Sequence, residues 1–116
     1  MHWELRAWRD AMTLAEQIYH DTACFPSEER CGLTRQLRRT ALSIPSRLAQ
    51  SLAKSSEQFI TDLQDIDATL GRLETELVLA HRLDYLPPSA LTQRCEQISQ
   101  VHQRLCALRR SLGDTR

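Results

Sequence analysis

Glycine is scarce in this chain, and aromatic residues are scarcer than usual. Three glycines and four prolines among 116 residues leave few places to turn, which weighs against a sheet protein and suits a helical bundle with about three connections. At 5% aromatics, few rings are available for stacking on bases, and no RNA-binding module signature occurs. No apolar run approaches the roughly 18 residues of a membrane span. The opening MHWELRAWRD carries charge where a signal peptide has its apolar region, so export is not expected. The four cysteines are therefore expected as reduced thiols in a cytoplasmic protein, not as a disulfide framework. Net charge is absent too: fifteen basic and fifteen acidic residues cancel, so bulk charge selects no partner. Nor is there a phosphate-cradling glycine loop, a serine in a strand-turn-helix elbow or a recognisable Cys/His motif, and neither an enzyme nor a cofactor is expected.

What the chain does have is helical periodicity. Leu5, Trp8, Met12, Ala15 and Tyr19, widened by Ala11, Leu14 and Ile18, mark a first helix over residues 4–24, with Trp3 and Trp8 expected to cap one end of the core. Phe25-Pro26-Ser27-Glu28-Glu29 breaks it, with Ser27 as the expected N-cap of a second helix over 28–53 and Gly32 in its first turn. Leu33, Leu37, Ala41, Ile44, Leu48 and Leu52 share one arc of that helix. Pro45 removes the donor for the Ala41 carbonyl and crowds it, so a kink is expected there. Ser55 and Gln58 have capping-box spacing ahead of a third helix over 56–85. Its residues Phe59, Leu63, Ile66, Leu70, Leu73, Leu77 and Ala80 keep a four-three spacing suited to shallow bundle packing. Leu86-Pro87-Pro88-Ser89 precedes a fourth helix over 89–112, striped by Ile98, Val101, Leu105, Leu108 and Leu112, with Gly113 as its C-terminal cap. The expectation is a single all-α domain, an up-down-up-down four-helix bundle whose second helix is kinked.

Charge is distributed unevenly over these segments. Residues 28–54 hold six Lys/Arg against two Asp/Glu, residues 55–86 two against seven, and residues 87–112 four against one. Arg35, Arg38, Arg39, Arg47 and Lys54 gather opposite the apolar arc of the second helix, and no acid interrupts the run from Arg30 to Lys54. These five are the candidate phosphate contacts. Asp62, Asp65, Asp67 and Glu76 read as the solvated side of the third helix, while Glu74, next to Leu73, reads as near the interior and as a candidate partner for Arg38. His20/Cys24 and His102/Cys106 each have ligand spacing on one helix face, and His20, Cys24, Cys31 and Cys95 share one end of the bundle. None has tight CxxC spacing, so the cysteines are read as small buried hydrophobes and no metal is assigned.

In order along the chain come Trp3-x-Leu5-x-x-Trp8, Phe25-Pro26-x-Glu28-Glu29, Gly32-Leu33-Thr34-x-Gln36-Leu37-Arg38-Arg39, Ser43-Ile44-Pro45 and Leu73-Glu74-Thr75-x-Leu77. Over about residues 3–86 this resembles the four-helix bundle family of the 23S ribosomal RNA intervening-sequence proteins, which also includes the accessory variability determinants of diversity-generating retroelements. The fourth helix matches that family in length and pattern alone. The resemblance implies a small cytosolic bacterial protein that assembles as a homopentamer. In the retroelement branch it implies binding to nucleic acid and to a reverse transcriptase through a basic surface. Where family members often carry Glu-Gly after Ser-Ile-Pro, this chain has Gln50 and Ser51, which makes the second helix more basic.

Two functional readings result. The first is a non-enzymatic, oligomeric adaptor that binds structured RNA or DNA phosphates through Arg35, Arg38, Arg39, Arg47 and Lys54, repeated around a ring. The second is a protein-protein scaffold, such as a reverse-transcriptase accessory subunit, whose arginines pair acids on a neighbour's third helix. No membrane partner is expected in either.

Overall fold

The computed structural model describes residues 5–113, and within them the chain forms four helices. They are α1 (Arg6–Thr22), α2 (Leu33–Ser51), α3 (Ser56–Arg82) and α4 (Pro88–Ser111), with a 3-10 turn at Ser27–Glu29 between the first two. Each helix packs on the next and α4 closes on α1, so the four make a square bundle with one core. The bundle measures 44 × 22 × 20 Å. At about 1.5 Å per residue, α3 alone spans nearly the whole long axis. No helix among the described residues is long and apolar enough to cross a membrane.

The core comes from the periodicities. All seven seam residues of α3, from Phe59 to Ala80, are buried, as are Leu37, Ala41, Ile44 and Leu48 of α2 and Ile98, Val101 and Leu105 of α4. Each fully buried leucine or isoleucine contributes about 1.5–3 kcal/mol. On α1 the buried centre is Ala7, Ala11, Leu14, Ala15 and Ile18. The expected stripe through Leu5, Trp8, Met12 and Tyr19 is instead its flank. Trp8 is partly buried against the core, and Tyr19 is 42% exposed. The small alanines let α1 approach its neighbours closely and shift the core line by one residue. Trp3 lies outside the described residues. Leu52, expected in the α2 arc, is the exposed C-cap of that helix.

Capping sets the real boundaries. Helix α2 starts at Leu33, not near residue 28, and Gly32 is its N-cap rather than part of its first turn. Ser27 instead opens the 3-10 turn, and the capping acceptor for α2 is Glu29, whose Oε1 takes the Leu33 N–H at 2.9 Å. A Cβ on Gly32 would sit 2.6 Å from that same oxygen, so glycine makes room for the cap. Ser55 caps α3 as its spacing predicts, accepting from the Gln58 N–H at 3.3 Å. Helix α3 ends at Arg82, three residues early, in a Schellman turn. Asp84 there has φ +64°, with Asp84 N–H bonded to His81 O and Tyr85 N–H to Ala80 O. Pro88 opens α4 at a first-turn position where its missing N–H costs nothing. Gly113 follows α4 at φ +99°, the cap expected of it. Helix α2 runs unbroken through Pro45, which is fully buried.

One buried cation has no counterpart in the sequence reading. Arg94 of α4 is 6% exposed. It donates to Asp21 of α1 at 2.8 Å, with Gln17, Gln93 and Gln97 accepting from three more of its N–H groups. Toward the other end of the same interface Arg104 meets Asp10 at 3.1 Å.

Candidate nucleic-acid interface

The five basic residues singled out from sequence separate into two groups. Arg47 and Lys54, on the second half of α2 and just beyond it, turn to α3. The Arg47 guanidinium lies 3.8 Å from Asp65 and 3.4 Å from the Thr69 hydroxyl. Lys54 Nζ donates to Asp62 at 2.7 Å, and Ser51 donates to the same carboxylate at 2.8 Å. Asp62 is therefore not on the solvated side of α3: it is 8% exposed. The Lys54 ammonium, then the Ser51 hydroxyl, hold its carboxyl below the ordinary 3.8 despite burial, which acts the other way. Glu76 likewise is half-buried and accepts from Gln36 at 2.7 Å. Glu74, expected near the interior, is exposed. These bonds stitch α2 to α3 and engage cations that could otherwise meet a phosphate.

The other group gathers where α1 ends and α2 begins. Arg35 and Arg39 are exposed, and among the described residues neither has an ion pair or a side-chain hydrogen bond. Arg38 does not reach Glu74. It donates to Thr22 Oγ1 at 2.8 Å and to the Tyr19 carbonyl at 3.2 Å. Its guanidinium carbon lies 4.6 Å from the centroid of the Tyr19 ring, a stack worth about 0.5–1 kcal/mol at an exposed site. The stack holds the guanidinium plane in place.

Together with Arg30 and Thr34, these side chains line a shallow depression of about 410 Å³. The spacing explains the gathering, since residues three and four apart on α2 share a face. Arg30 is brought in by the 3-10 turn, which sequence periodicity could not register. Thr34 adds a buried hydroxyl with no hydrogen-bond partner among the described residues. The positive end of the α2 dipole lies at the same place. The carboxylate of Glu29 caps that end by accepting from the Leu33 N–H, and it also accepts from the Tyr85 hydroxyl at 3.0 Å. Donating to Glu29 pushes the Tyr85 hydroxyl above its ordinary 10.0. Tyr85 also meets the Phe25 ring at 5.4 Å, so the α1–α2 and α3–α4 connections brace each other.

The cysteines depart from the sequence reading. Cys24 and Cys31 are exposed, and Cys95 and Cys106 are half-buried, so they are not buried core hydrophobes. Among the described residues no group of three His, Cys, Asp or Glu has an arrangement that could hold a metal ion. His102 of the His102/Cys106 pair bonds Asp67 of α3, a residue read from sequence as solvated side.

No curated protein compared with the chain matches it. The sequence model of one family, described as 23S rRNA-intervening sequence protein, matches residues 3–107, and so carries the likeness beyond residue 86 through most of α4. This four-helix bundle belongs to the 23S rRNA-intervening sequence protein family.

Proposed function

We propose that the protein is a non-enzymatic, homo-oligomeric adaptor, a pentamer on the family resemblance, that binds the phosphates of structured RNA or DNA. The observation that carries this is the acid-free depression where α1 meets α2, lined by Tyr19, Thr34 and four arginines. Arginine suits bidentate phosphate contacts, and Arg38, pre-oriented on Tyr19, loses little freedom on binding. The binding surface is thus narrower than a stripe along the whole helix. It centres on Arg35, Arg38 and Arg39 with Arg30, while Arg47 and Lys54 keep their partners on α3. A bend of the α2 axis at Pro45 belongs to the same proposal, because it turns the second half of the helix, with Arg47, toward α3.

Salt titration of binding to a structured RNA tests the reading. Each phosphate that a variant no longer neutralises lowers the slope of log K against log salt by roughly 0.9 on duplex DNA and about 0.7 on single strands. Arg35→Ala and Arg39→Ala are expected to lower it, and Arg47→Ala to leave it unchanged. Absence of salt-sensitive binding to RNA and DNA at low ionic strength ends the adaptor reading. Light scattering on the purified protein tests the ring, and a stable monomer removes it. The scaffold reading draws on a different observation: Leu79 and Leu83, one turn apart at the end of α3, are 47% and 45% exposed. A protein partner such as a reverse transcriptase would cover them.

A further inference from the structure

Away from the basic cluster, α3 and α4 bring three chemically complementary groups into line. His102 Nδ1 lies 2.6 Å from Asp67 Oδ1, and His102 Nε2 lies 3.6 Å from Cys106 Sγ. The order along this line is carboxylate, imidazole, thiol. An ionised carboxylate can only accept, so the proton on a neutral His102 sits on Nδ1. That tautomer leaves the Nε2 lone pair facing the thiol, within reach of its proton. The helices supply the alignment. His102 and Cys106 are one turn apart on α4, and Asp67 reaches across from α3 with its side chain 25% exposed.

We propose that Asp67, His102 and Cys106 form a thiol-activating triad, and that Cys106 is a modification site for peroxides. The Cys106 proton passes to His102 Nε2, and the carboxylate of Asp67 stabilises the imidazolium, as in the general logic of nucleophile, base and orienting acid. The thiolate attacks one peroxide oxygen. The Sγ–O bond forms as the O–O bond breaks, and the sulfur loses two electrons. The departing oxygen takes the proton held on His102. With hydrogen peroxide the products are a sulfenic acid and water.

The assignment stops at modification, because an oxyanion needs free N–H donors beside the thiol. Backbone N–H groups in the middle of α4 are already used within the helix. Cys95, the other cysteine of α4, lies eleven residues back along the helix, roughly 16 Å away, too far to resolve the sulfenic acid. Asp67 acts through His102 and is a positioning residue.

The four cysteines make an internal comparison. Cys24 and Cys31 are more exposed than Cys106, so accessibility alone ranks them first. Burial, and then the charge of Glu74, push the Cys95 thiol above its ordinary 9.0, so Cys95 is the slow reference. Glu74 of α3 lines the same depression as Asp67 and His102, and Arg109 and Arg110 follow Cys106 by three and four residues on α4. The test is the rate of alkylation of each cysteine by iodoacetamide in the full chain at neutral pH. Peptide mass spectrometry resolves the four sites, and trapping of sulfenic acid after hydrogen peroxide follows.

Cys106 is expected to react about tenfold faster than Cys24 and Cys31, against the order of exposure. His102→Gln is expected to remove that lead, and Asp67→Asn to reduce it, while the rates at Cys24 and Cys31 stay put. Sulfenic acid is expected at Cys106 first. Cys106 reacting no faster than Cys24 and Cys31 in the unmodified chain overturns the proposal. A lead that survives His102→Gln in a variant with an unchanged melting curve overturns it as well. If either substitution unfolds the protein, the ranking in the unmodified chain decides alone.

Discussion

Asp84 is placed where a glycine is usually found. It sits at φ +64° in the Schellman turn that ends α3, and left-handed backbone costs an L-residue with a Cβ about 1–2 kcal/mol, somewhat less for Asp and Asn. Its charge adds a second cost. A carboxylate just past a helix C-terminus faces the negative end of the dipole, which is unfavourable by about 0.3–1 kcal/mol. No hydrogen bond or ion pair of the Asp84 side chain occurs among the described residues, so replacing it breaks no polar interaction. Asp84→Asn removes only the charge and is expected to stabilise by about 0.5 kcal/mol. Asp84→Gly removes both costs, offset in part by the greater freedom of glycine in the unfolded chain, for a net gain of about 1 kcal/mol. That gain raises Tm by about 4 °C for a domain of this size. Asp84→Ala removes the charge but keeps the Cβ, and is expected to fall below Asp84→Asn. Urea melts of the four proteins at neutral pH, with unchanged m-values, give the order Gly, Asn, Ala. Asp84→Ala matching or exceeding Asp84→Gly would show that the turn imposes no left-handed constraint.

Three further outcomes follow from the polar interior and from Pro45. Asp62 has its carboxyl held down in the folded state by Lys54 and Ser51. Its contribution is therefore present above the unfolded value of 3.8 and lost as pH falls through the lower folded value. Asp62→Asn should be less stable than wild type at neutral pH, and the gap should close on acidification; a constant gap contradicts this origin. Arg94→Ala leaves the Asp21 carboxylate, 12% exposed, without its cation, and should cost about 3 kcal/mol in a denaturant melt; a cost under about 1 kcal/mol would mean that Asp21 finds water instead. Pro45→Ala restores the donor to the Ala41 carbonyl, a gain of up to about 3 kcal/mol from which the missing packing of the buried ring is subtracted. Stability should rise and assembly weaken, and a crystal structure with a straight axis from Ser43 to Arg47 would remove the bend.

The sequence by itself determined the bundle. Periodic leucines and isoleucines on α2, α3 and α4 fix which face each helix buries, because burial of those faces outweighs every local preference. Pro26, the Pro87-Pro88 pair and the Ser55 cap then fix where the chain turns. Local spacing also marked Arg35, Arg38 and Arg39 as one face of α2, since neighbours at three and four residues need no tertiary information. Family membership was legible for the same reason, through short motifs in a fixed order.

Tertiary structure decided which of those charges are engaged. Arg47 and Lys54 look like Arg35 and Arg39 on a helical wheel, but α3 presents Asp65 and Asp62 to the first pair and, among the described residues, no acid to the second. Whether a cation has a partner depends on the residue opposite it, and the register of two helices is not written in either one. The same reason hides Arg94 beside Asp21, Arg38 over Tyr19, and the line from Asp67 through His102 to Cys106. Apart from the one-turn step from His102 to Cys106, each joins residues far apart in sequence, where a chain of ordinary composition offers many acids and bases that could have met. It also explains the one-residue shift of the α1 core line. Alanine and tryptophan both read as apolar in a periodic pattern, and only close approach between helices selects the smaller side chain for the centre.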